Sequence, residues 1–156
     1  MKNIILIGLS GSGKSTVGRL LARSLGRTLL DTDTMAEEQE GQSIATIFAQ
    51  KGESYFRQLE SELLREALAC ENAVIATGGG AILSAENRRL LKKSGQVFFL
   101  NRKPAEIIRT AQLQNRPLVA GDEGKLTVLY QEREKLYRAT AHCTIEGKNA
   151  ADVAEA

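Results

Sequence analysis

The chain has 156 residues, 42% hydrophobic and 26% charged, ordinary for a single soluble domain whose core needs no disulfide or metal staple. Its formal net charge of +2 is too small to argue for nucleic acid or a membrane surface, and no apolar run approaches membrane-spanning length. His142 is the only histidine, which excludes a His-rich metal site, argues against a His-dependent triad and leaves acid–base work to carboxylates. Cys70 and Cys143 lack metal-ligand spacing and are expected to be reduced, buried and inert. Met1-Lys2-Asn3 leads directly into a strand rather than a signal peptide, so a cytoplasmic location is expected.

Asn3-Ile4-Ile5-Leu6-Ile7 is a short apolar, β-branched run that predicts a buried strand. Gly8-Leu9-Ser10-Gly11-Ser12-Gly13-Lys14-Ser15 follows and fits G-x-x-x-x-G-K-[ST] without a gap. Val17, Leu20, Leu21 and Leu25 then recur at helical spacing. Strand, glycine loop and helix stand in the order that phosphate binding needs. Glycines let several backbone N–H groups converge on one anion, and the helix N-terminus adds the positive end of its dipole. Lys14 can reach the β- and γ-phosphates and the Ser15 hydroxyl can ligate Mg²⁺, so the chain is expected to bind a nucleoside triphosphate.

Gly26 supplies a helix stop, and Thr28-Leu29-Leu30 predicts a second strand ending in Asp31-Thr32-Asp33. A helical region runs to Glu40, restarts at Ile44 and breaks at Gly52. The longest helix is expected from about Ser54 to Cys70, with Phe56, Leu59, Leu63, Leu64 and Ala67 on its apolar stripe. Ala73-Val74-Ile75-Ala76 is a third strand closed by Thr77-Gly78-Gly79-Gly80, and Ser84 caps a helix to Lys93. Gln96 to Leu100 is a fourth strand, and Pro104 opens another helix. Residues 112–124 read as a mobile lid, followed by a helix from about Lys125 to Ala139, a last strand at Cys143-Thr144-Ile145 and a short helix from Ala150. The whole predicts one α/β domain, residues 1–156: three layers, α/β/α, around a central parallel sheet of about five strands.

In such a sheet, ligands sit at the carboxyl ends of the strands. The phosphate loop, the aspartates and the three glycines each follow a strand. Were the second strand to continue through them, Asp31 and Asp33 would share a face. Carboxylates beside a triphosphate call for a cation, which suggests Mg²⁺. One aspartate could help hold it while the other takes a proton from a substrate hydroxyl; the competing reading of Asp31-Thr32-Asp33 is a plain helix cap. Three glycines at a strand's end suggest close approach to the backbone. Of Arg57, Arg116 and Arg133, Arg116 has the clearest case on position alone, as a charge carried in by a closing lid.

Together these motifs resemble the shikimate kinase family, small P-loop kinases of the nucleoside-monophosphate-kinase type. The matching features are Gly8 to Ser15, Asp31-Thr32-Asp33, Phe56-Arg57 with Glu60, Gly78-Gly79-Gly80, Arg116-Pro117-Leu118, and Arg133 with Tyr137, over roughly residues 3–140. The resemblance implies that ATP phosphorylates the 3-hydroxyl of shikimate, a step towards chorismate and the aromatic amino acids. It implies ATP contacts at Gly11, Ser12, Gly13, Lys14, Ser15, Thr16, Arg109 and Arg116, with Arg109 against the adenine. Ser15 and Asp31 would serve Mg²⁺, and Asp33 would face the substrate hydroxyls. Arg57 and Arg133 would clamp the carboxylate over Gly78, Gly79 and Gly80, and catalysis would fall to Asp33, Lys14 and Arg116. In the family, residues past the last strand help frame the adenine; here Gly147-Lys148-Asn149 leads into only a few more residues. A monomer is expected, with no nucleic-acid or membrane partner. Two other readings stand beside this one: a gluconate kinase, because both arginines suit any carboxylated polyol, and a nucleotide-binding regulator without turnover, against which the aspartates, Lys14 and Arg116 argue.

Overall fold

The structure, a computed structural model, describes residues 2–113 and 122–146. Five strands, β1 (Asn3–Ile7), β2 (Thr28–Asp31), β3 (Ala73–Ala76), β4 (Gly95–Asn101) and β5 (Cys143–Glu146), form one sheet in the order β2-β3-β1-β4-β5. Every neighbouring pair is parallel, with Ile5 opposite both Ile75 and Val97. The connecting helices are α1 (Lys14–Leu25), α2 (Thr32–Glu40), α3 (Ile44–Leu68), α4 (Ala85–Ser94), α5 (Pro104–Leu113) and α6 (Asp122–Thr140), with a 3₁₀ turn at Ala81–Leu83. The expected three-layer arrangement on five parallel strands is therefore present.

Parallel strands covered on both faces read as unbroken apolar runs, and period-two alternation then divides each run between two cores. Ile5, Ile7, Ile75, Val97 and Phe99 pack with Leu64 of α3, Leu91 of α4 and Tyr137 of α6. On the other face Leu6, Val74 and Leu100 pack with Val17 and Ala22 of α1. A third cluster, Ala36, Ile47, Phe56, Leu59 and Leu63, joins α2 to α3.

Element ends follow the expected chemistry. Gly26 and Gly41 close α1 and α2 in the left-handed region, and Ser43 and Ser84 cap α3 and α4 by accepting from Thr46 N and Asn87 N. Three expectations need correction. The long helix ends at Leu68 rather than Cys70, while the expected break at Gly52 is present as a non-helical kink within α3, with φ 86°. The second strand stops at Asp31 instead of carrying on through Asp33, because the Asp31 carboxylate starts a helix. Cys70 and Cys143 are exposed rather than buried: Cys70 lies beyond the end of α3 in the turn to β3, and Cys143 opens β5 at the edge of the sheet. The helix expected from Ala150 and the interior of the proposed lid lie outside the described residues; the lid's bounds of 112–124 overlap α5 and α6.

Candidate active site

β1 lies between β3 and β4, and the loop from Gly8 to Gly13 leaves its carboxyl end. Gly11 and Gly13 have φ of 83° and 97°, left-handed values that glycine adopts without strain. Ser12 N donates to Leu9 O at 3.1 Å, closing the loop into a tight arch. Lys14, first residue of α1, is buried, and its Nζ donates to Gly8 O and Leu9 O, both at 2.7 Å. Two of the three ammonium protons thus hold the loop, and one remains for a ligand. Burial lowers the Lys14 pKa from 10.5 to about 8, although Asp33 and Asp31 pull the other way. A phosphate in this cleft would offset that burial penalty.

The acidic segment stands beside the loop. Ser15 Oγ donates to Asp31 Oδ2 at 2.5 Å, while Asp31 Oδ1 accepts from Asp33 N at 3.1 Å and Thr34 N at 3.3 Å. Asp31 therefore caps α2 with one oxygen and meets Ser15 with the other. Asp33 joins Asp31 from the first turn of α2, not from a shared strand face. The cleft, about 230 Å³, is lined by Ser10, Gly11, Gly13, Lys14, Ser15, Thr16, Asp31, Asp33 and Thr77. Burial raises the Asp33 pKa, with Lys14 opposing and Asp31 adding to the shift. A carboxyl so held is a better proton acceptor than an ordinary aspartate. Among the described residues no three His, Cys, Asp or Glu side chains gather as a metal cluster. The oxygen-only pair Ser15 and Asp31 suits Mg²⁺, which takes few protein ligands and completes its shell with water and phosphate oxygens.

The glycine turn after β3 forms the third wall. Gly78 N donates to the buried Thr32 hydroxyl at 3.0 Å, and Thr77 Oγ1 donates to Leu6 O at 2.9 Å, fixing the turn to β1 and to the start of α2. A Cβ at Gly78 would come 2.6 Å from both Asp33 Oδ1 and Glu60 Oε2, and one at Gly79 would come 3.6 Å from Arg133 Nη1. At Gly80 a Cβ would collide with the Arg57 guanidinium. Side chains at these three positions would be crowded by Asp33 and Glu60 at Gly78, by Ser10 at Gly79 and by Arg57 at Gly80. Arg57 Nη1 donates to Glu60 Oε1 at 2.9 Å, and Glu60 is buried. The Nε atoms of Arg57 and Arg133 are both buried without a hydrogen-bond partner among the described residues. Paired guanidinium forks with unused donors suit a carboxylate.

The structure thus brings Gly11, Ser12, Gly13, Lys14, Ser15, Thr16, Asp31, Asp33, Arg57, Gly78, Gly79, Gly80 and Arg133 together at the carboxyl ends of β1, β2 and β3. Arg109 is exposed on α5, two residues beyond Ile107, whose Cγ2 lies 3.0 Å from where a Gly11 Cβ would stand. Arg116 and residues 147–156 lie outside the described residues. The sequence reading gave Thr32, Glu60 and Tyr137 no separate part. Glu60 carries a usable signal, an acidic residue three positions after Arg57 on the apolar side of an amphipathic helix.

A sequence model of the family described as "Shikimate kinase" matches residues 10–156. The chain belongs to the shikimate kinase family. Shikimate kinase of Moorella thermoacetica is 46% identical over 155 residues, covering 97% of this chain and 90% of that protein. The solved structure of shikimate kinase from Acinetobacter baumannii in complex with shikimate has a TM-score of 0.91 and 42% identity, covering 99% of this chain and 89% of that one. Membership of the shikimate kinase family makes the chain an enzyme, a kinase with this family's nucleotide-binding loop. A gluconokinase from Sinorhizobium meliloti 1021 has a TM-score of 0.60 at 16% identity, a likeness of fold alone.

Proposed function

We propose that the chain transfers the terminal phosphoryl group of ATP to the 3-hydroxyl of shikimate, giving shikimate 3-phosphate and ADP on the route to chorismate and the aromatic amino acids. The observation that carries this reading is the convergence of Arg57 and Arg133, from separate helices, on the glycine turn beside Asp33. A carboxylate held by the two forks presents its ring hydroxyls towards the phosphate loop. Asp33 orients the 3-hydroxyl and takes its proton; the freed oxygen bonds to the γ-phosphorus, and the bond from that phosphorus to the β,γ-bridging oxygen breaks. Backbone N–H groups from Gly11 to Thr16 and the free Lys14 proton hold the phosphate oxygens. Arg116 adds positive charge when the lid closes, and Arg109 lies against the adenine. Ser15 and Asp31 would hold Mg²⁺, which supplies charge neutralisation at the β- and γ-phosphates. The whole chain acts as one domain with a lid near residues 112–124, as a cytoplasmic monomer.

An assay of ADP release tests this. Turnover is expected with shikimate, not with gluconate, and chelation of divalent cations should abolish it. Equal ADP release with and without shikimate would contradict the assignment.

A further inference from the structure

Tyr137 is fully buried, with 0% exposure, yet it carries a hydroxyl. Its ring stacks on Phe99 of β4, with centroids 4.9 Å apart and planes 23° from parallel. The hydroxyl donates to Gly79 O at 2.5 Å. Arg133 sits one helical turn earlier on α6, and its guanidinium lies against the same hydroxyl. Gly79 is itself a junction: a Cβ there would come 3.2 Å from Ser10 N of the phosphate loop as well as 3.6 Å from Arg133 Nη1.

We propose that Tyr137 is a positioning residue for the acceptor substrate, its hydroxyl fixing α6, and hence Arg133, against the Gly79 carbonyl; this rests on the acceptor-site reading given above. Packing accounts for the ring but not for the oxygen. A phenylalanine would stack on Phe99 equally well, and a buried hydroxyl is costly unless it is paired. The pairing here joins two walls of the acceptor site, the glycine turn and the helix bearing Arg133, which come from distant parts of the chain. Phe99 lies on the strand next to β1, so the ring is tied to the same sheet that bears the phosphate loop. The hydroxyl thereby sets how far Arg133 stands from Asp33 and the loop. Without it, α6 and the turn remain in contact, but their relative position is no longer fixed by a directional bond.

The test is steady-state kinetics on the full chain. Tyr137→Phe should raise the KM for shikimate about five- to thirty-fold, the range for losing one buried hydrogen bond. The KM for ATP should change by less than about two-fold, because the phosphate loop keeps its own bonds. A double variant with Arg133→Lys should show less than the product of the single effects, because both changes act on one contact. Incorporation of 3-fluorotyrosine at position 137 keeps the donor and should restore the wild-type KM. Val74→Ala, in the core on the opposite face of the sheet, serves as the stability control and should lower the melting temperature without altering the ratio of the two KM values. An unchanged shikimate KM in Tyr137→Phe, a parallel rise in both KM values, full multiplicativity with Arg133→Lys, or failure of the Phe variant to fold would each overturn the proposal. Wild-type protein that does not phosphorylate shikimate would instead defeat the functional reading on which it rests.

Discussion

At Gly80 a methyl group would come 2.5 Å from Cζ of Arg57, the far end of a flexible side chain. Gly80→Ala should therefore leave the fold intact and displace the guanidinium. The expected result is a shikimate KM raised about ten-fold, the scale of one charge-assisted hydrogen bond, with the KM for ATP unchanged. Asp33→Asn keeps the shape of the site and removes the proton acceptor. Turnover should fall by about 10²–10⁴ while nucleotide binding, followed by titration calorimetry, hardly changes; near-wild-type turnover would exclude Asp33 as base. Glu60 adds a pH signature. Burial raises its pKa above the ordinary 4.5, with Arg57 opposing and Asp33 adding to the shift. The folded chain thus retains a proton that the unfolded chain releases, so this contribution is fully present below pH 4.5 and is lost as pH rises through the raised value. Glu60→Gln cannot titrate. The melting temperature of wild type should fall relative to that of the variant as pH rises above 4.5, and a pH-independent difference would refute this description.

Among the elements, those legible in the sequence were the ones whose local signals agree. β1 and α1 announce themselves because a β-branched run, three loop glycines and an apolar helical stripe all demand the same geometry. The end of β2 was obscured because Asp31 satisfies two demands at once, capping α2 with one oxygen and meeting Ser15 with the other. Period-two reasoning cannot anticipate a strand cut short by its own last side chain. The interruption at Gly52 was legible, because its φ of 86° is one that glycine adopts without strain and that ends regular helix. Burial of Cys70 was expected from residue type, whereas its exposure follows from its place in the turn between α3 and β3. That turn is held by Asn3: its Nδ2 donates to Cys70 O at 2.8 Å and its Oδ1 accepts from Ala73 N at 2.9 Å. Asn3→Ala would leave both backbone groups unpaired, one of them in the interior. Unfolding free energy should fall by about 2–4 kcal/mol, measured by chemical denaturation. Because this contact lies at the amino ends of the strands, away from the glycine turn, both KM values should hold.

Over the whole molecule, the sheet order β2-β3-β1-β4-β5 brings the residues after β1, β2 and β3 to one edge, where phosphate loop, aspartates and glycine turn meet. The phosphate half of this edge was readable from one contiguous motif. The acceptor half was not readable from position alone, because Arg57 and Arg133 lie 76 residues apart and only the fold joins them; the resemblance supplied what spacing could not. The central claim is that these two arginines read a carboxylate. The most direct measurement compares shikimate with its carboxamide analogue in wild type, Arg57→Lys and Arg133→Lys. Wild type should prefer the acid by about ten-fold or more in kcat/KM, and each lysine variant, which keeps the charge but loses the fork, should narrow that preference while its KM for ATP stays constant. Equal use of acid and amide by wild type would contradict the account, and the acceptor would then have to be an uncharged polyol.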